Sequence, residues 1–261
     1  MPDPAAPRAP GATPARYVFV SDVHLDAAAP DSLRQFIEFL RTRGGSPSAP
    51  AAGVRALYIL GDLFESWVGD DDAGDERSAV LAALRELTAS GVACFLMHGN
   101  RDFLLGEGFC RQTGCQLLPD PVVAEIDGER VLLTHGDALC TDDHAYQELR
   151  SMVRAPAWQH RFLSLPLSDR QLLANEARAG SRAHTSRTIP KIMDVNAAAV
   201  IAAFKAAGVR RIIHGHTHRP AVHDALVEGR SVQRIVLGAW YEQGSYLAYE
   251  SGRYELRSLP R

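Results

Sequence analysis

The stretch Gly61-Asp62-Leu63-Phe64-Glu65 directly follows the apolar run Ala56-Leu57-Tyr58-Ile59-Leu60. The run predicts a buried strand, and the glycine permits a tight turn that places the Asp62 carboxylate at the carboxyl end of that strand. In an open α/β sheet this edge is where binding sites form. For a lone Gly-Asp pair the simpler interpretation is a helix N-cap, because aspartate is favoured there. The choice between a cap and a site therefore depends on the other strand ends.

Four other apolar runs end in the same manner, with small and polar residues following at once. These runs and their continuations are Tyr17–Val20 with Ser21-Asp22-Val23-His24, Val92–Met97 with His98-Gly99-Asn100-Arg101-Asp102, Val131–Thr134 with His135-Gly136-Asp137, and Arg211–Ile213 with His214-Gly215-His216-Thr217-His218. Five polar clusters at five strand ends are harder to attribute to chance than one. We therefore expect their side chains to meet at one edge of the sheet.

The spacing of apolar residues between these runs indicates a layered α/β fold. Helices are expected after the predicted cap Asp31 and between the later strands, where apolar residues recur at i, i+3, i+4 and i+7. The turn Asp127-Gly128 is typical of a hairpin, so we expect mixed sheets. The acidic turn Asp70-Asp71-Asp72 is interpreted as a solvated loop. Three carboxy-terminal runs are expected to close a second sheet: Val232–Leu237, Ser245–Tyr249 and Arg253–Leu256.

Length and composition fit one domain with an insertion. The chain has 261 residues, of which 46% are hydrophobic, and a net charge of −3, which argues against binding nucleic acid through global positive charge. Its four cysteines form no Cys-x-x-Cys pair, as in reduced cytosolic proteins. No apolar run approaches the roughly 18 residues that cross a bilayer. The Pro/Ala-rich residues 1–15 lack the pattern of a secretory signal and predict a disordered tail before a domain over 16–261.

One segment departs from the strand and helix rhythm and predicts a helical lid insertion over about 144–193. Between Arg150 and Lys191 basic residues far outnumber the two acidic ones, Asp169 and Glu176, and several large apolar residues are interspersed. One interpretation is a solvated helical pair with its apolar side in the core. The other is a lid that accepts an anionic amphiphile or rests on an anionic membrane surface.

The strand ends together supply oxygen and imidazole donors and no cysteine. The seven donors are Asp22, His24, Asp62, Asn100, His135, His216 and His218. Such donors suit Mn, Fe or Zn and exclude a structural zinc knot. With Asp62 as a bridge, two ions about 3.5–4 Å apart can be held, an arrangement used for displacement at phosphorus. One ion would take Asp22, His24 and His218, and the other Asn100, His135 and His216.

Two sequence spacings support these assignments. In extended chain, residues two apart project to the same side, so the donors of Asp22-x-His24 and of His216-x-His218 can each reach one centre. Arg101 offers a guanidinium to phosphoryl oxygens, and either Asp102 or a backbone carbonyl is expected to orient a neighbouring metal ligand. The simpler interpretation of Arg101 is a surface ion pair.

In this order, the motifs Asp22-x-His24, Gly61-Asp62, Gly99-Asn100-Arg101-Asp102, His135 and Gly215-His216-x-His218 resemble those of the calcineurin-like metallophosphoesterases. The resemblance covers most of the chain. It implies a four-layer αββα sandwich of mixed sheets, with two divalent metal ions at the carboxyl ends of the strands.

Longer stretches are similar to the UDP-2,3-diacylglucosamine diphosphatase family. They are Gly61–Asp71, His98–Leu104, His135–Asp143, Ile192–Asn196 and His214–Pro220. This similarity implies hydrolysis of UDP-2,3-diacylglucosamine to UMP and 2,3-diacylglucosamine 1-phosphate in lipid A biosynthesis. It also implies Mn²⁺ as the metal, a lid that holds the acyl chains, and peripheral attachment to the cytoplasmic face of the inner membrane. We expect a monomer that binds no nucleic acid.

The family's functional residues map onto this sequence position by position. Substrate contacts are implied at Asn100, Arg101, Asp143, Ser181, Thr185, Thr188 and His216, with Arg101 and His216 as catalytic residues. Family members often have asparagine in place of Thr185 and lysine in place of Thr188, so a positive charge is lost, for which Arg187 or Lys191 could substitute. The implied mechanism is attack of a metal-activated water on the uridylyl phosphorus, with Arg101 neutralising developing charge.

Two alternatives remain at this stage. A general metallophosphoesterase would act on another nucleotide, such as a dinucleoside polyphosphate, and would tolerate charges in the lid. A non-catalytic interaction protein would keep the fold and lose donors, whereas this chain has every expected donor.

Overall fold

The chain is represented by a computed structural model, which describes residues 16–42, 53–72, 74–187, 194–241 and 243–259. Within these ranges, the side chains of residues 75, 76 and 182–187 are not described. The predicted tail over 1–15 and the predicted contact Thr188 lie outside the described residues, as does the side chain of Thr185.

Eleven strands are present in the described residues. They are β1 Arg16–Val20, β2 Val54–Leu60, β3 Ala93–Met97, β4 Gln116–Leu118, β5 Val122–Ile126, β6 Glu129–Leu133, β7 Arg211–His214, β8 Ala221–Val227, β9 Arg230–Val236, β10 Gly244–Glu250 and β11 Arg253–Leu259. Seven α-helices accompany them: α1 Pro30–Thr42, α2 Asp75–Ala89, α3 Glu107–Thr113, α4 His144–Val153, α5 Pro156–Leu163, α6 Leu167–Arg187 and α7 Ala197–Ala207. The helices and strands expected from apolar spacing are therefore present. β4, β8 and α3 were not predicted, and β5 was implied only by the predicted hairpin turn.

The first sheet has the order β11-β10-β1-β2-β3-β4, with β1 to β4 parallel and β10 antiparallel to β1. The expectation that β10 and β11 close a second sheet was wrong. Six of the seven residues of β10 are buried, because Tyr246 packs towards α1 while Leu247 and Tyr249 face the other sheet. A strand that is apolar on both faces fits an interior position, and its partner cannot be inferred from turn spacing alone.

The second sheet has the order β5-β6-β7-β9-β8. Its hairpin β5–β6 turns at Asp127-Gly128, where both residues have positive φ, as the sequence predicted and as a primed turn requires. Strands β6, β7 and β9 are parallel, and β8 forms an exposed edge. The second sheet is therefore mixed, like the first.

Three apolar layers hold the four structural layers together. One lies between the sheets and includes Phe19 and Tyr58, whose rings stack at 5.0 Å between centroids, facing Ile213 of the second sheet. A second layer joins the first sheet to α1, α2 and α3, and a third joins the second sheet to α7 through Phe204. The structure thus confirms the predicted αββα sandwich of mixed sheets.

The strand ends meet because backbone hydrogen bonds join them beyond the regular ladders. Asp22 N donates to Gly61 O at 3.1 Å, and Gly215 N donates to His135 O at 2.9 Å. Each of these bonds joins neighbours within one sheet. Between the sheets, His216 N donates to Asp22 Oδ2 at 2.8 Å, which brings the residues after β7 beside those after β1. Both sheets contribute side chains to one shared edge.

Helices α4, α5 and α6 leave the sandwich after β6 and cover this edge; we call them the lid. No helix within the described ranges combines the length and apolarity needed to cross a membrane.

Candidate metal centre

The seven predicted donors come together at the shared edge of the two sheets. The structure contains two groups of three donors, and within each group the donor atoms lie within 4.8 Å of one another. Asp22, His24 and His218 form one group, and Asp22, Asp62 and His135 form the other. Asp22, His24, Asp62, His216 and His218 all have φ between 53° and 66°. A left-handed backbone costs a non-glycine residue on the order of 1–3 kcal/mol, and such strain clusters at functional sites. It turns each donor out of its strand direction.

The two aspartates divide their oxygens in the same manner. Asp22 Oδ2 accepts from Ser21 Oγ at 2.6 Å and from His216 N at 2.8 Å, while Oδ1 lies 3.2 Å from His218 Nε2. Asp62 Oδ1 accepts from Arg101 N at 2.8 Å. Asp62 Oδ2 lies 3.8 Å from both His24 Nε2 and His135 Nε2. One oxygen of each carboxylate is thus held by the protein, and the other faces imidazoles.

Asp22 is common to both donor groups, and Asp62 Oδ2 lies midway between His24 of the first group and His135 of the second. The 2% exposure of Asp62 leaves it little access to bulk water, and burial raises its pKa. An ionised carboxylate in this place requires a positive charge beside it.

The proton positions on two histidines leave their inner nitrogens as acceptors. His24 Nδ1 donates to Glu65 Oε2 at 2.9 Å, and His135 Nδ1 donates to Leu60 O at 2.9 Å. Both Nε2 atoms then present lone pairs to the centre. His24 Nε2 lies 3.3 Å from His218 Nε2, and His135 Nε2 lies 3.0 Å from Asn100 Oδ1. At these distances a proton or a metal ion must lie between the facing atoms.

Asn100 connects the remaining histidines. Its Oδ1 lies 3.0 Å from His135 Nε2 and 3.0 Å from His216 Nδ1. Burial lowers the pKa of His135, but the carboxylates of Asp62, Asp137 and Asp22 outweigh it and raise this pKa to about 9. Burial lowers the pKa of His216 to about 3. Without a metal ion, the carboxylates favour a protonated, positively charged His135. Divalent cations would supply that positive charge instead, and the residues present fit them.

Asp102 fixes the loop that carries Asp62. It is fully buried, and its carboxylate accepts from the amides of Gly99, Asp62, Leu63 and Phe64 at 2.9, 3.3, 2.7 and 3.3 Å. The sequence predicted an orienting role for Asp102, and the structure shows that it acts through backbone amides. Close approach also requires Gly99, because a Cβ atom there would collide with Asp62 Oδ1.

A cavity of about 650 Å³ opens beside the centre, beneath the lid. Asn100, Arg101 and Ser181 line it, and Arg101 Nη2 donates to Ser181 Oγ at 3.5 Å. Its walls are mainly apolar. The apolar lining consists of Trp67, Val68, Phe103, Leu104, Leu149, Met152, Val153, Trp158, Phe162, Leu165, Leu173, Ala174 and Ala177. The lining also includes five arginines, Ser66, Tyr146 and a single carboxylate, that of Glu65. The cavity is therefore suited to an apolar ligand that carries negative charge.

The acidic turn, predicted as a solvated loop, instead makes hydrogen bonds and an ion pair to the surrounding structure. Asp70 accepts from Trp67 Nε1 at 3.1 Å and from the amides of Gly106 and Phe109 at 3.0 and 3.1 Å. Asp72 is buried and pairs with Arg77. The turn thus connects the loop after β2 to α2 and α3.

Arg170 of α6 makes the direct connection from the lid to this turn. The side chain is only 3% exposed. Its Nη1 donates to Val68 O at 2.6 Å and to Asp71 Oδ1 at 2.8 Å, and its Nε donates to Leu165 O at 3.0 Å. Sequence reasoning counted Arg170 only as one charge of a cationic segment. A buried arginine of this kind holds one end of α6 in place.

Comparison with known proteins identifies the family of this chain. The family model for calcineurin-like phosphoesterases matches residues 15–220. The chain belongs to this family. The match covers the strands that end in the seven donors and includes the lid.

Curated relatives of this phosphoesterase are similar over nearly its whole length. A UDP-2,3-diacylglucosamine hydrolase of Stenotrophomonas maltophilia is 48% identical over 251 residues, which cover 94% of this chain and 98% of that protein. Proteins of the same name from Xanthomonas campestris pv. campestris and Pseudomonas paraeruginosa are each 46% identical and cover 93% of this chain and 98% of their own. Among solved structures, an archaeal phosphodiesterase has a TM-score of 0.46 at 15% identity, over 94% of this chain and 99% of that one.

The substrate contacts predicted for this phosphoesterase do not all lie in one part of the structure. Asn100 and His216 lie among the donors, and Arg101 and Ser181 line the lid cavity. Asp143 begins α4, where its Oδ1 accepts from Tyr146 N at 3.0 Å, and it is not among the residues that line the cavity. Thr185 and Thr188 cannot be placed, since their side chains fall outside the described part of the chain.

Sequence reasoning missed several residues beside the centre. Glu65 holds His24, and Asp137 accepts from Tyr146 Oη at 2.6 Å and from Arg150 Nε at 2.8 Å. The Tyr146 ring stacks on His216 at 5.9 Å between centroids. Asp137 is part of the His135-Gly136-Asp137 cluster, so its position after a strand was a usable signal. Tyr146 carried none, because nothing in a helical segment marks which residue points to the centre.

Proposed function

We propose that this phosphoesterase hydrolyses the pyrophosphate of UDP-2,3-diacylglucosamine to UMP and 2,3-diacylglucosamine 1-phosphate, a step of lipid A biosynthesis. The observation that carries the proposal is the position of Asp62 Oδ2 between His24 and His135, directly beside an apolar cavity lined by arginines. The names of the curated relatives, at 46–48% identity over nearly the whole chain, support the same substrate.

The donor set suits two divalent ions, and we propose Mn²⁺ for both. Asp22, His24, Asp62 and His218 would hold one ion, and Asp62, Asn100, His135 and His216 the other. When bound, such ions supply Lewis acidity and an activated water for displacement at phosphorus, here the uridylyl phosphorus. Asp102, through its backbone hydrogen bonds, keeps the bridging Asp62 at the required position.

Arg101 and His216 act on the phosphoryl group in this proposal. Arg101 follows Asn100 directly, and its guanidinium contacts the neutral Ser181 hydroxyl, so its charge remains available for phosphoryl oxygens. His216 is held on one side by Asn100 and on the other by the Tyr146 ring. Arg101 therefore neutralises negative charge at the phosphorus in this proposal, and the neutral His216 assists as a hydrogen-bond donor.

The lid cavity accepts the two acyl chains in this proposal. Trp158 stacks on Phe162 at 4.9 Å between centroids and packs against Phe103 at 6.1 Å, which gives the cavity an aromatic wall. Burying apolar chain carbons there gains roughly 25 cal/mol per Å² removed from water. Asp143, Ser181, Thr185 and Thr188 are proposed to contact the sugar and phosphate groups.

The exposed surface of the lid supports a proposal of membrane attachment. Five large apolar side chains of the lid are at least 41% exposed: Leu149, Met152, Leu163, Leu172 and Leu173. Three of them, Leu149, Met152 and Leu173, also line the cavity. With the lid arginines, they suit the interface of an anionic bilayer. We propose a monomer that binds the cytoplasmic face of the inner membrane through the lid, where its lipid substrate resides.

The test is phosphorus NMR of the Mn²⁺-supplied protein with UDP-2,3-diacylglucosamine in ¹⁸O-water. We expect label in UMP, 2,3-diacylglucosamine 1-phosphate as the other product, and no products from Asp62→Ala. A diadenosine polyphosphate serves as the soluble control. Hydrolysis of only the soluble nucleotide would leave the metal centre in place and refute the lipid substrate.

A further inference from the structure

The proposed substrate has three parts, and two of them have been given a place. The diphosphate lies at the donors, and the acyl chains lie beneath the lid. The uridine must leave the centre in another direction, because the cavity beneath the lid is apolar and is needed for the chains. This inference rests on the proposed function and asks which residue receives the base.

The loop between β9 and β10 borders the first donor group. Trp240 in this loop is fully buried and packs edge-on against Phe36 and Phe39 at 5.5 and 5.3 Å between centroids. Its Nε1 donates to Ser245 O at 2.8 Å, and its backbone N donates to Asp22 O at 3.1 Å. The loop is therefore fixed to the strand end that carries Asp22.

Tyr241, the next residue, is held by this anchor but faces the opposite way. Its ring lies parallel to that of His24, 4.9 Å between centroids and 15° between planes, and edge-on to His218 at 5.4 Å. More than half of Tyr241, 53%, is exposed to solvent. Among the described residues it is the aromatic side chain that combines contact with two donor histidines and large exposure. It is absent from the lining of the lid cavity.

We infer that Tyr241 is the stacking platform for the uracil ring of the nucleotide half of the substrate. A rigid aromatic residue with little conformational freedom to lose is the group that binds a flat base most effectively. Base stacking on aromatic residues is tolerant of the polar pattern of the base and contributes substantial binding energy. The platform lies on the His24 side of the centre, so the phosphorus attached to uridine is presented to the donors.

A second cavity, of about 320 Å³, is the competing place for the base. It lies between the loop after β1, the acidic turn and α6, and its lining includes Gln171, Asn175 and Arg178. Its polar groups already bind one another: Gln171 Nε2 donates to Asp72 Oδ1 at 3.1 Å, and Arg178 Nη2 donates to Asn175 Oδ1 at 2.5 Å. Tyr241 contacts the donor histidines directly, which this cavity does not.

The experiment measures the affinity of the Mn²⁺-loaded protein for UMP and for ribose 5-phosphate by calorimetry. Their affinity ratio isolates the contribution of the base. We expect wild-type protein to prefer UMP, Tyr241→Phe to keep the preference because the ring remains, and Tyr241→Leu to reduce it about tenfold, equivalent to about 1.4 kcal/mol. The KM for UDP-2,3-diacylglucosamine should rise in Tyr241→Leu with a smaller change in kcat.

Three results would overturn the inference: equal affinity of wild-type protein for both ligands, an unchanged ratio in Tyr241→Leu, or loss of the ratio in Asn175→Ala in place of Tyr241→Leu. Thermal melting of each variant establishes that it is folded. Failure of the wild-type protein to hydrolyse UDP-2,3-diacylglucosamine refutes the proposed function separately, because the affinity ratio needs no turnover.

Discussion

Asp102 Oδ2 accepts a hydrogen bond from the Leu63 amide at 2.7 Å, and this bond joins the end of β3 to the loop that carries Asp62. Both oxygens of Asp102 accept from backbone amides. In Asp102→Asn, the side-chain NH₂ would face amide donors, and hydrogen bonds to a buried charge would be lost. We expect the free energy of unfolding to fall by about 2–3 kcal/mol, measured by urea denaturation. Unchanged stability, with only activity affected, would contradict this role.

Glu65→Gln tests the orientation of His24. The glutamate accepts from His24 Nδ1 at 2.9 Å, and the neutral amide is a weaker acceptor that can also rotate its donor towards the ring. We expect metal affinity to fall by about 10- to 100-fold, measured by metal titration of the apoprotein. Glu125→Gln, on β5 of the second sheet, is the matched control and should leave the affinity unchanged.

Metal removal should lower the melting temperature, because the buried carboxylates of Asp22 and Asp62 then lack their counter-charge. An ion present at 100 times its dissociation constant stabilises the folded state by about 2.7 kcal/mol. For a chain of this size we expect a rise in melting temperature of about 5–10 °C on adding Mn²⁺ to chelator-treated protein. Asp62→Ala should show little of this rise. An equal rise in that variant would place the ions elsewhere.

Arg170→Gln should loosen the lid while leaving the sheets intact. Without the guanidinium, Val68 O and Leu165 O lose their donors, at a local cost of about 3 kcal/mol. Hydrogen exchange should therefore accelerate in α6 and remain slow in β1 and β7. Asp71→Asn removes one partner that is mostly exposed and should have a smaller effect on exchange. Uniform acceleration across both sheets would indicate global destabilisation instead.

Trp158→Asp should impair hydrolysis of the lipid substrate more than hydrolysis of a soluble one. The change removes an aromatic wall of the lid cavity and places a negative charge beside the acyl chains. We expect kcat/KM for UDP-2,3-diacylglucosamine to fall by at least about 100-fold, whereas hydrolysis of a small soluble phosphodiester should persist. Leu226→Asp, at a 74% exposed position on β8, is the matched control. Equal loss on both substrates would contradict a lipid-specific role.

The donors could be predicted from the sequence because each follows an apolar run directly. Strand ends are local features, and parallel strands bring their carboxyl ends to one edge whatever the distance in sequence. Asp62 and His135 were assigned to one centre only because each follows a predicted strand. In the structure Asp62 Oδ2 and His135 Nε2 lie 3.8 Å apart.

Contacts that depend on the packing of helices were beyond the same reasoning. The acidic turn appeared solvated because Asp71 and Asp72 are charged, yet Arg170 arrives from α6, 99 residues after Asp71, to bind it. Likewise, Trp240 and Tyr241 lie in a loop without a metal motif, and their closeness to Asp22 and His24 follows from the pairing of β10 with β1. Local pattern gives no information on such pairings.

The pairing of Phe19 with Leu247 across β1 and β10 also governs how the chain folds as it is synthesised. At about 5–20 residues per second, the ribosome needs on the order of 10 to 50 seconds to synthesise the chain from Phe19 to Leu247. Until then one side of β1 is an open strand edge, available for mispairing with other chains. The final hairpin covers that edge, and the loop that precedes it lies beside Asp22. Chaperone dependence should therefore concentrate in the interval before this hairpin emerges.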